Sequence, residues 1–599
     1  MWTGRLITPA DMKKSLKKKD LPTPPARAKT VLTVLLAAGI LAAAVLLFFP
    51  AWENPFVLDD VAKIEANPDM RLPFGFRHFF YPYSENSGEF RNDPSRPVTF
   101  MVFWLCWRAG SGSPLPFHVV NTLLHALAAV FLAWLTALSM RRLFRVEAPE
   151  AGLLAAFLFL SSPLMAGTVV YIYGLSDVLS TALCLGALLL LVRRQEPGAG
   201  AQVLASVLFL LALGAKQSAI VLPALLVVWD WSTGGAGELK RRVRVYLPLV
   251  LAACVYLGAR WLAFGRLGDL EGGAAVHQTG FYASMQGAVI LDYLRLMVIP
   301  AGLTIDHLPV AGAYPLWLRL SAWAVVAALS IAALRAGFKR SSSPVQRLLG
   351  LGWLVFIVTL LPTSSLLPTV DLMVERRAYF AGAGVFLILA GLLWHLGRRA
   401  RAWRIALLVT AAAAVLAQGA VTWHRHAIYG SPEALWRESL ARNPMNRRAL
   451  TNLGTYYSRV ERWDDAVGAF EKILSHNPGD GSAYAKLAYI YAQPNYPKRD
   501  DRKALEYLDR GLALNPDNFL GLFNEAIILI RTERFAEAEE SLRRAVALSP
   551  NYVAAHFMLG EIALRLGRTD EAVAHFREVL RLNPGDAAAT DRLREIRGR

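Results

Sequence analysis

The sequence predicts an all-α protein in two parts: a polytopic bundle of about eleven membrane-spanning helices, then a helical repeat array. Three observations carry this. The chain of 599 residues is 55% hydrophobic, with continuous apolar runs between Thr30 and Trp423. Runs of about 17–25 apolar residues match a bilayer core spanned as helix, and their continuity, without alternation, excludes barrel strands. Short basic clusters separate the runs on one side only. Beyond them, proline recurs at Pro444, Pro478, Pro516, Pro550 and Pro584, at gaps of 34, 38, 34 and 34 residues.

The expected spans are 30–49, 117–138, 151–171, 177–193, 201–215, 217–231, 243–264, 316–336, 347–363, 379–396 and 403–423. The basic N-terminus, with Lys13, Lys14 and Lys17 to Lys19, precedes a run too long for a signal-peptide core and reads as a retained anchor. With it cytoplasmic, every second loop is basic: Arg141, Arg142 and Arg145; Arg193 and Arg194; Lys240 to Arg244; Lys339 and Arg340; Arg398, Arg399 and Arg401. This is the positive-inside pattern. It leaves 286–302 as an interfacial or re-entrant helix on the outer side. The outer side also receives the loop 50–116, the region 266–315 and everything after Trp423. The formal net charge of +18 lies in the bundle half, because from Arg425 onward 26 Lys and Arg face 24 Asp and Glu. A charge spread over inter-helix loops argues against nucleic acid as a partner and for membrane lipid.

Three further columns accompany the prolines: Ala466, Ala504, Ala538, Ala572; small residues at Gly454, Ala488, Ala526, Gly560; bulky ones at Phe470, Leu508, Leu542, Phe576. This is the tetratricopeptide pattern of stacked helix pairs. The longer gap fits an insertion around Asn495 to Asp501, Glu525 departs from an apolar position, and 432–443 reads as the second helix of a half-repeat. The expected divisions are a basic N-terminus (1–29), a transmembrane domain (30–424) and a repeat domain (425–599) with a half-repeat and about four repeats. Such an array binds peptide in its groove.

The long outer loop is the first place to look for chemistry. It opens Phe56-Val57-Leu58-Asp59-Asp60. A carboxylate there can act as general base toward an attacking hydroxyl, with a neighbouring charge and burial raising one pKa; a solvated turn or helix cap is the bland alternative. The three cysteines, Cys106, Cys184 and Cys254, have no metal-ligand or disulfide spacing, so no metal is assigned. No glycine-rich phosphate cradle follows a strand, so nucleotide binding has no support.

The run from Phe56 to Asp60, with Ile64, Asn67-Pro68-Asp69 and Arg71, resembles the first lumenal loop of the transmembrane-and-TPR O-mannosyltransferases, of the GT-C superfamily of polyprenyl-phosphate-sugar-dependent glycosyltransferases. The likeness continues at Arg96-Pro97-Val98-Thr99, at Phe117 to Ala126, at Lys216-Gln217, at Pro300 to Asp306 and at Glu375-Arg376-Arg377-Ala378-Tyr379. The resemblance implies a GT-C-like bundle and a membrane glycosyltransferase. A sugar on a polyprenyl phosphate would pass to a Ser or Thr hydroxyl of a translocated polypeptide, with Asp59 or Asp60 as base. Arg96, Lys216, Arg376 and Arg377 then become donor-phosphate candidates, because outer-side cations run against positive-inside statistics and Arg suits bidentate phosphate contacts. A snorkelling Lys216, or Arg paired with Asp59, Asp60 or Glu375, is the alternative.

Asn121 and His125 share a helix face and read mainly as interhelical hydrogen-bonding groups. Asp306 beside His307 is a possible acid–base pair or a turn. Asp177, Glu375 and Tyr379 complete the candidates. One departure stands out. Where the family has a His-Pro-x-His-Thr-Glu type sequence, this chain has Ser162-Pro163-Leu164-Met165-Ala166-Gly167, and Gly174-Leu175-Ser176-Asp177 has Leu where Arg is common. That leaves open an inactive membrane-anchored repeat scaffold, or a glycan or lipid acceptor. The absence of Asn-x-Ser/Thr sequons points to a bacterial inner membrane, with the repeats periplasmic. On this reading the lipid site lies wholly in the bundle, and ending the chain at Tyr429 would leave donor binding intact.

Overall fold

The computed structural model describes residues 26–75, 93, 95–265, 279–307, 314–339, 341–364, 369 and 371–598, side chains before 34 and that of residue 338 excepted. Lys13 to Lys19, Arg340 and much of the first outer loop lie outside it. The described residues are all-α. The first part holds α1 (Ala26–Phe48), α2 (Pro97–Gly110), α3 (Leu115–Phe144), α4 (Pro149–Ser161), α5 (Pro163–Val170), α6 (Leu175–Val192), α7 (Ala199–Ala215), α8 (Leu222–Gly234), α9 (Ala236–Arg241), α10 (Val243–Phe264), α11 (Thr279–Val298), α12 (Leu316–Phe338), α13 (Pro344–Leu360), α14 (Ala378–Gly397) and α15 (Arg401–Tyr429).

All eleven expected spans fall on apolar helices, but only eight are long and apolar enough to cross a membrane, or nine if the bent pair α4–α5 is one span. Against the expected eleven or so, eight or nine meet that length among the described residues, and α7 and α13 are shorter apolar helices. The two that fall short, α7 and α13, have 17 residues each. At 1.5 Å per residue that is ~26 Å, at the lower end of the length that crosses a bilayer. The pair α4–α5 bends by 58° at Ser162-Pro163, where proline withholds an N–H. The segment expected as interfacial starts earlier, as α11, and does not pass as a span. It is held by Trp323 Nε1 donating to Ala283 O at 2.9 Å and Gln286 Nε2 to Leu372 O at 3.2 Å.

Small residues let the helices close up. A Cβ on Gly352 would sit 2.5 Å from Gly384 O, and one on Gly152 would sit 2.4 Å from Ala133 O. At one end of the bundle, Arg142 and Arg242 donate to the last carbonyls of α6, at Val192 and Leu191, which satisfies a helix C-terminus. At the other end lie the turns at 53–60, 171–177, 215–217 and 371–377.

The second part is a half-repeat helix α16 (Pro432–Arg442), then the pairs α17 (Arg447–Arg459) with α18 (Trp463–His476), α19 (Gly481–Tyr491) with α20 (Asp501–Leu514), α21 (Phe519–Arg531) with α22 (Phe535–Leu548) and α23 (Val553–Arg565) with α24 (Thr569–Leu582), then α25 (Ala587–Gly598). The columns have a direct reading. The Phe470 ring lies where a Cβ on Gly454 would be, 2.7 Å away, and Phe576 stands 2.8 Å from the same point at Gly560. Asn446, Asp480, Asp500 and Asn518 cap the helices that follow them. The insertion is a turn whose Tyr496 is buried, with its hydroxyl donating to Asp464 at 3.1 Å. Glu525 accepts from Ser541 Oγ at 2.7 Å, which accounts for a carboxylate at an apolar position. Leu58 and Ile305 pack against both the bundle core and the core of the first repeats.

Candidate functional site

The first outer loop leaves α1 through a tight turn in which Leu58 adopts φ 55°. A left-handed conformation is uncommon for a residue with a Cβ and costs free energy unless its surroundings hold it. Its effect is to send adjacent carboxylates opposite ways. Asp60 is fully buried; its Oδ2 accepts from Val57 N at 3.2 Å and its Oδ1 from Tyr173 N at 2.8 Å. Burial pushes this carboxyl well above the ordinary range, against the opposing pull of those two amides. Asp59 is exposed, and its Oδ2 accepts from the Tyr171 hydroxyl at 2.6 Å.

Four segments far apart in sequence bring three cations and one acid together, and Arg376 links them to Asp59. Lys216, at the turn after α7, pairs with Asp177 of α6. Burial lowers the Lys216 ammonium to about 8, with Asp177 opposing and Arg96 and Arg376 adding to the fall. Arg96, before α2, lies 3.1 Å from Asp93 and 5.9 Å from the centre of the Tyr173 ring. Arg376, before α14, sits in the fields of Tyr171, Asp177, Asp59 and Asp371, with Asp371 Oδ2 3.9 Å from its guanidinium. Asp59, Arg96, Asp177, Lys216 and Arg376 therefore form one electrostatic cluster. Asp177 Oδ2 is buried without a hydrogen-bond partner.

The other candidates fall elsewhere. Arg377 donates to Asp371 O at 2.9 Å and Thr369 Oγ1 at 2.8 Å, so both ends of its guanidinium are engaged by its own loop rather than by the cluster. Asn121 donates to Val169 O at 3.0 Å, and His125 Nδ1 lies 2.7 Å from the Tyr379 hydroxyl. Both are buried links between helices. Asp306 and His307 are not an acid–base pair: His307 Nε2 donates to Glu375 Oε1 at 3.1 Å, whereas Asp306 accepts from Asn446 Nδ2 at 3.1 Å. Glu375 also accepts from Thr304 N at 2.6 Å and pairs with Arg425 at 2.9 Å. These groups form a seam between the bundle and the start of the repeats.

Tyr171, Asp93, Asp371, Arg425 and Arg448 were missed from sequence. Only Arg425, charged within an apolar helix, carried a signal. The departure at 162–167 has a packing account. A Cβ on Gly167 would lie 3.1 Å from the Tyr429 hydroxyl, 3.2 Å from Glu375 Oε2 and 3.4 Å from Arg425, so those groups fill the volume a longer side chain needs. Met165 packs on Gly382, its Sδ 2.9 Å from a Cβ built there. Among the described residues no group of three His, Cys, Asp or Glu could hold a metal ion.

The tetratricopeptide repeat family model matches residues 451–519, 498–552 and 523–587. Protein O-mannosyl-transferase Tmtc1 of Drosophila melanogaster is 26% identical over 555 residues, covering 75% of this chain and 62% of that protein. Protein O-mannosyl-transferase F38B6.6 of Caenorhabditis elegans is 26% identical over 344 residues, covering 56% and 48%, and human Protein O-mannosyl-transferase TMTC4 is 32% identical over 149 residues, covering 23% and 20%. The chain thus spans about half to three fifths of the length of the first two. Among solved structures, MamA matches 25% of this chain and 85% of its own at 21% identity, with TM-score 0.23. YrrB, described as a TPR protein with an unusual peptide-binding site, matches 27% and 81% at 19% identity, with TM-score 0.23. The chain is a multi-spanning helical protein with tetratricopeptide repeats, distantly related to the protein O-mannosyl-transferases.

Proposed function

We propose that this chain is a GT-C-type glycosyltransferase that moves a sugar from a polyprenyl phosphate to a Ser or Thr hydroxyl of a polypeptide outside the cytoplasm. The observation that carries the reading is the grouping of an exposed carboxylate, Asp59, with three cations from separate segments, Arg96, Lys216 and Arg376. Base and anion-binding groups in one place are what displacement of a lipid phosphate by a hydroxyl requires. Asp59 takes the proton from the acceptor hydroxyl, whose oxygen attacks the anomeric carbon. The bond from that carbon to the phosphate oxygen breaks with its electron pair staying on the phosphate, and Lys216, Arg96 and Arg376 stabilise the charge that develops. Asp60 is the less accessible base, because it is buried and both its oxygens are engaged by backbone amides.

Residues 1–29, 30–424 and 425–599 serve as cytoplasmic N-terminus, bundle and repeat domain, with the cluster and the repeats on the periplasmic side of a bacterial inner membrane. The repeats hold the extended acceptor. The test is transfer by the full-length protein reconstituted in lipid, offered polyprenyl-phosphate sugars and Ser/Thr-containing polypeptides. Transfer that is lost in Asp59→Asn supports the reading; an undiminished rate in that variant removes Asp59 as base. The filled volume at Gly167 favours a second reading, a catalytically silent anchor that presents the repeats to protein partners, and this predicts no transfer from any donor.

A further inference from the structure

Asp371 stands between the charge cluster and the repeats. Its Oδ1 accepts from Arg448 of α17 at 2.6 Å, and its Oδ2 lies 3.9 Å from Arg376. Arg448 also reaches Asp306 at 3.4 Å, beside the Asn446 cap of its own helix. Arg377 donates to the backbone carbonyl of Asp371 and to Thr369 Oγ1. One carboxylate therefore has two guanidiniums to choose between, one from the repeat array and one from the cluster, and in this arrangement the repeat array holds the shorter bond. Burial raises the Asp371 carboxyl, but Arg448 and then Arg376 outweigh it and hold it below the usual range, so it is anionic at neutral pH.

We propose that Arg448 is a positioning residue for the phosphate site, engaging Asp371 so that Arg376 stays available to an anionic ligand. The proposal rests on the reading of Arg96, Lys216 and Arg376 as that site. Without Arg448, the cation that acts most strongly on the Asp371 carboxylate is Arg376. A carboxylate and an Arg in a partly dehydrated place pair strongly, and a guanidinium turned onto Asp371 is withdrawn from the cluster. Seating of the first repeat and binding of phosphate are then thermodynamically coupled, and the coupling is reciprocal. A polypeptide carboxylate that captures Arg448, whose side chain is 41% exposed, weakens phosphate binding; a ligand on Arg376 tightens the contact between Asp371 and the repeats.

The signs make this testable against a structural role. Farnesyl phosphate is titrated into the full-length protein in lipid nanodiscs, with farnesol as the uncharged control. Arg448→Gln is expected to weaken farnesyl phosphate about fivefold or more, with farnesol unchanged. Asp371→Asn is expected to leave affinity equal or higher, because the competing charge is gone. The double variant returns to near the starting affinity, and Arg448→Lys keeps most of it. If Arg448→Gln does not fold, Asp371→Asn and Arg448→Lys still give the predicted order. Equal losses in Arg448→Gln and Asp371→Asn, unrelieved in the double variant, would make the contact a structural seam and overturn the proposal. Loss of binding in Arg376→Gln with none in Arg448→Gln would overturn it alone and leave the phosphate site standing. A wild-type protein that does not bind farnesyl phosphate would overturn both.

Discussion

Two adjacent aspartates have opposite fates because one residue before them is left-handed. Asp60 is a tie-point: its oxygens satisfy amides of its own turn and of the 171–174 turn. Replacing it with Asn swaps one acceptor oxygen for an NH₂ that faces an amide. Asp60→Asn is expected to lower stability by about 1–3 kcal/mol, read as a lower midpoint in thermal unfolding, whereas Asp59→Asn leaves the midpoint in place and removes transfer. Lys216 supplies a second residue-scale outcome. Its ammonium titrates near 8, while a phosphate monoester with a second pKa near 6 stays dianionic from about pH 7 to 10. The cation needed for binding is present below that pKa and lost as pH rises through it. Farnesyl phosphate affinity is expected to fall between about pH 7.5 and 9, and in Lys216→Met to be weaker below this range, flat across it and matched by the wild-type protein above it. A flat profile in the wild-type protein would remove Lys216 from the site. The Asp pair and Lys216 were legible as candidates from residue type and place. Their division of labour was not, because it depends on the backbone of Leu58, which nothing in the neighbouring sequence specifies.

At the scale of elements, legibility follows how local the determining contacts are. The repeats were readable because a small residue in one helix and a bulky one in the next must meet within a single pair. A Cβ on Gly454 would lie 2.7 Å from the Phe470 ring, whereas one on Gly468 meets nothing within 4 Å. Gly454→Val is therefore expected to destabilise the first repeat by about 1–3 kcal/mol. Gly468→Ala, a helix-interior glycine in open space, should stabilise by about 0.5–1 kcal/mol. Chemical denaturation followed by circular dichroism reads both, and a neutral Gly454→Val would mean the ring can move aside. The bundle was less readable. Hydropathy located the long apolar runs but left α2 inside the outer loop, and it did not separate α7 and α13 from longer spans, because an apolar run of 17 residues is already within the range that crosses a bilayer. The seam of Glu375, His307 and Arg425 was invisible for a different reason: its partners come from segments 50 and more residues apart.

At the scale of the whole molecule, if Arg448 positions Arg376 as proposed, the chain ended at Tyr429 loses donor affinity, where a site wholly in the bundle would keep it. Removing residues 430–599 takes away Arg448 and Asn446, leaves Asp306 without its amide partner, breaks the 2.7 Å contact between Thr304 Oγ1 and Ser439 Oγ, and uncovers Leu58 and Ile305. Farnesyl phosphate affinity of the protein ended at Tyr429 is expected to fall at least as far as in Arg448→Gln. Unchanged affinity would return the repeats to the role of acceptor binding alone.

The packing of Leu58 on the first repeats has a consequence for the order in which the protein is made. A chain that grows from its N-terminus emits Leu58 early and its partners late: Asn54 Nδ2 bonds to His426 O at 2.9 Å, across 372 residues. Closing so long a loop costs little more than closing a moderate one, since the entropy grows only with the logarithm of length. The delay is one of synthesis: at ~5–20 residues per second the partners arrive about 20–75 s after Leu58 has emerged. Until then nothing from the repeats packs on the left-handed turn, whereas Tyr171 and Tyr173, the partners of the carboxylate pair, are already made. A nascent chain thus makes its apolar helices before the cover over Leu58 exists, and the first repeats close over a turn that was made hundreds of residues earlier.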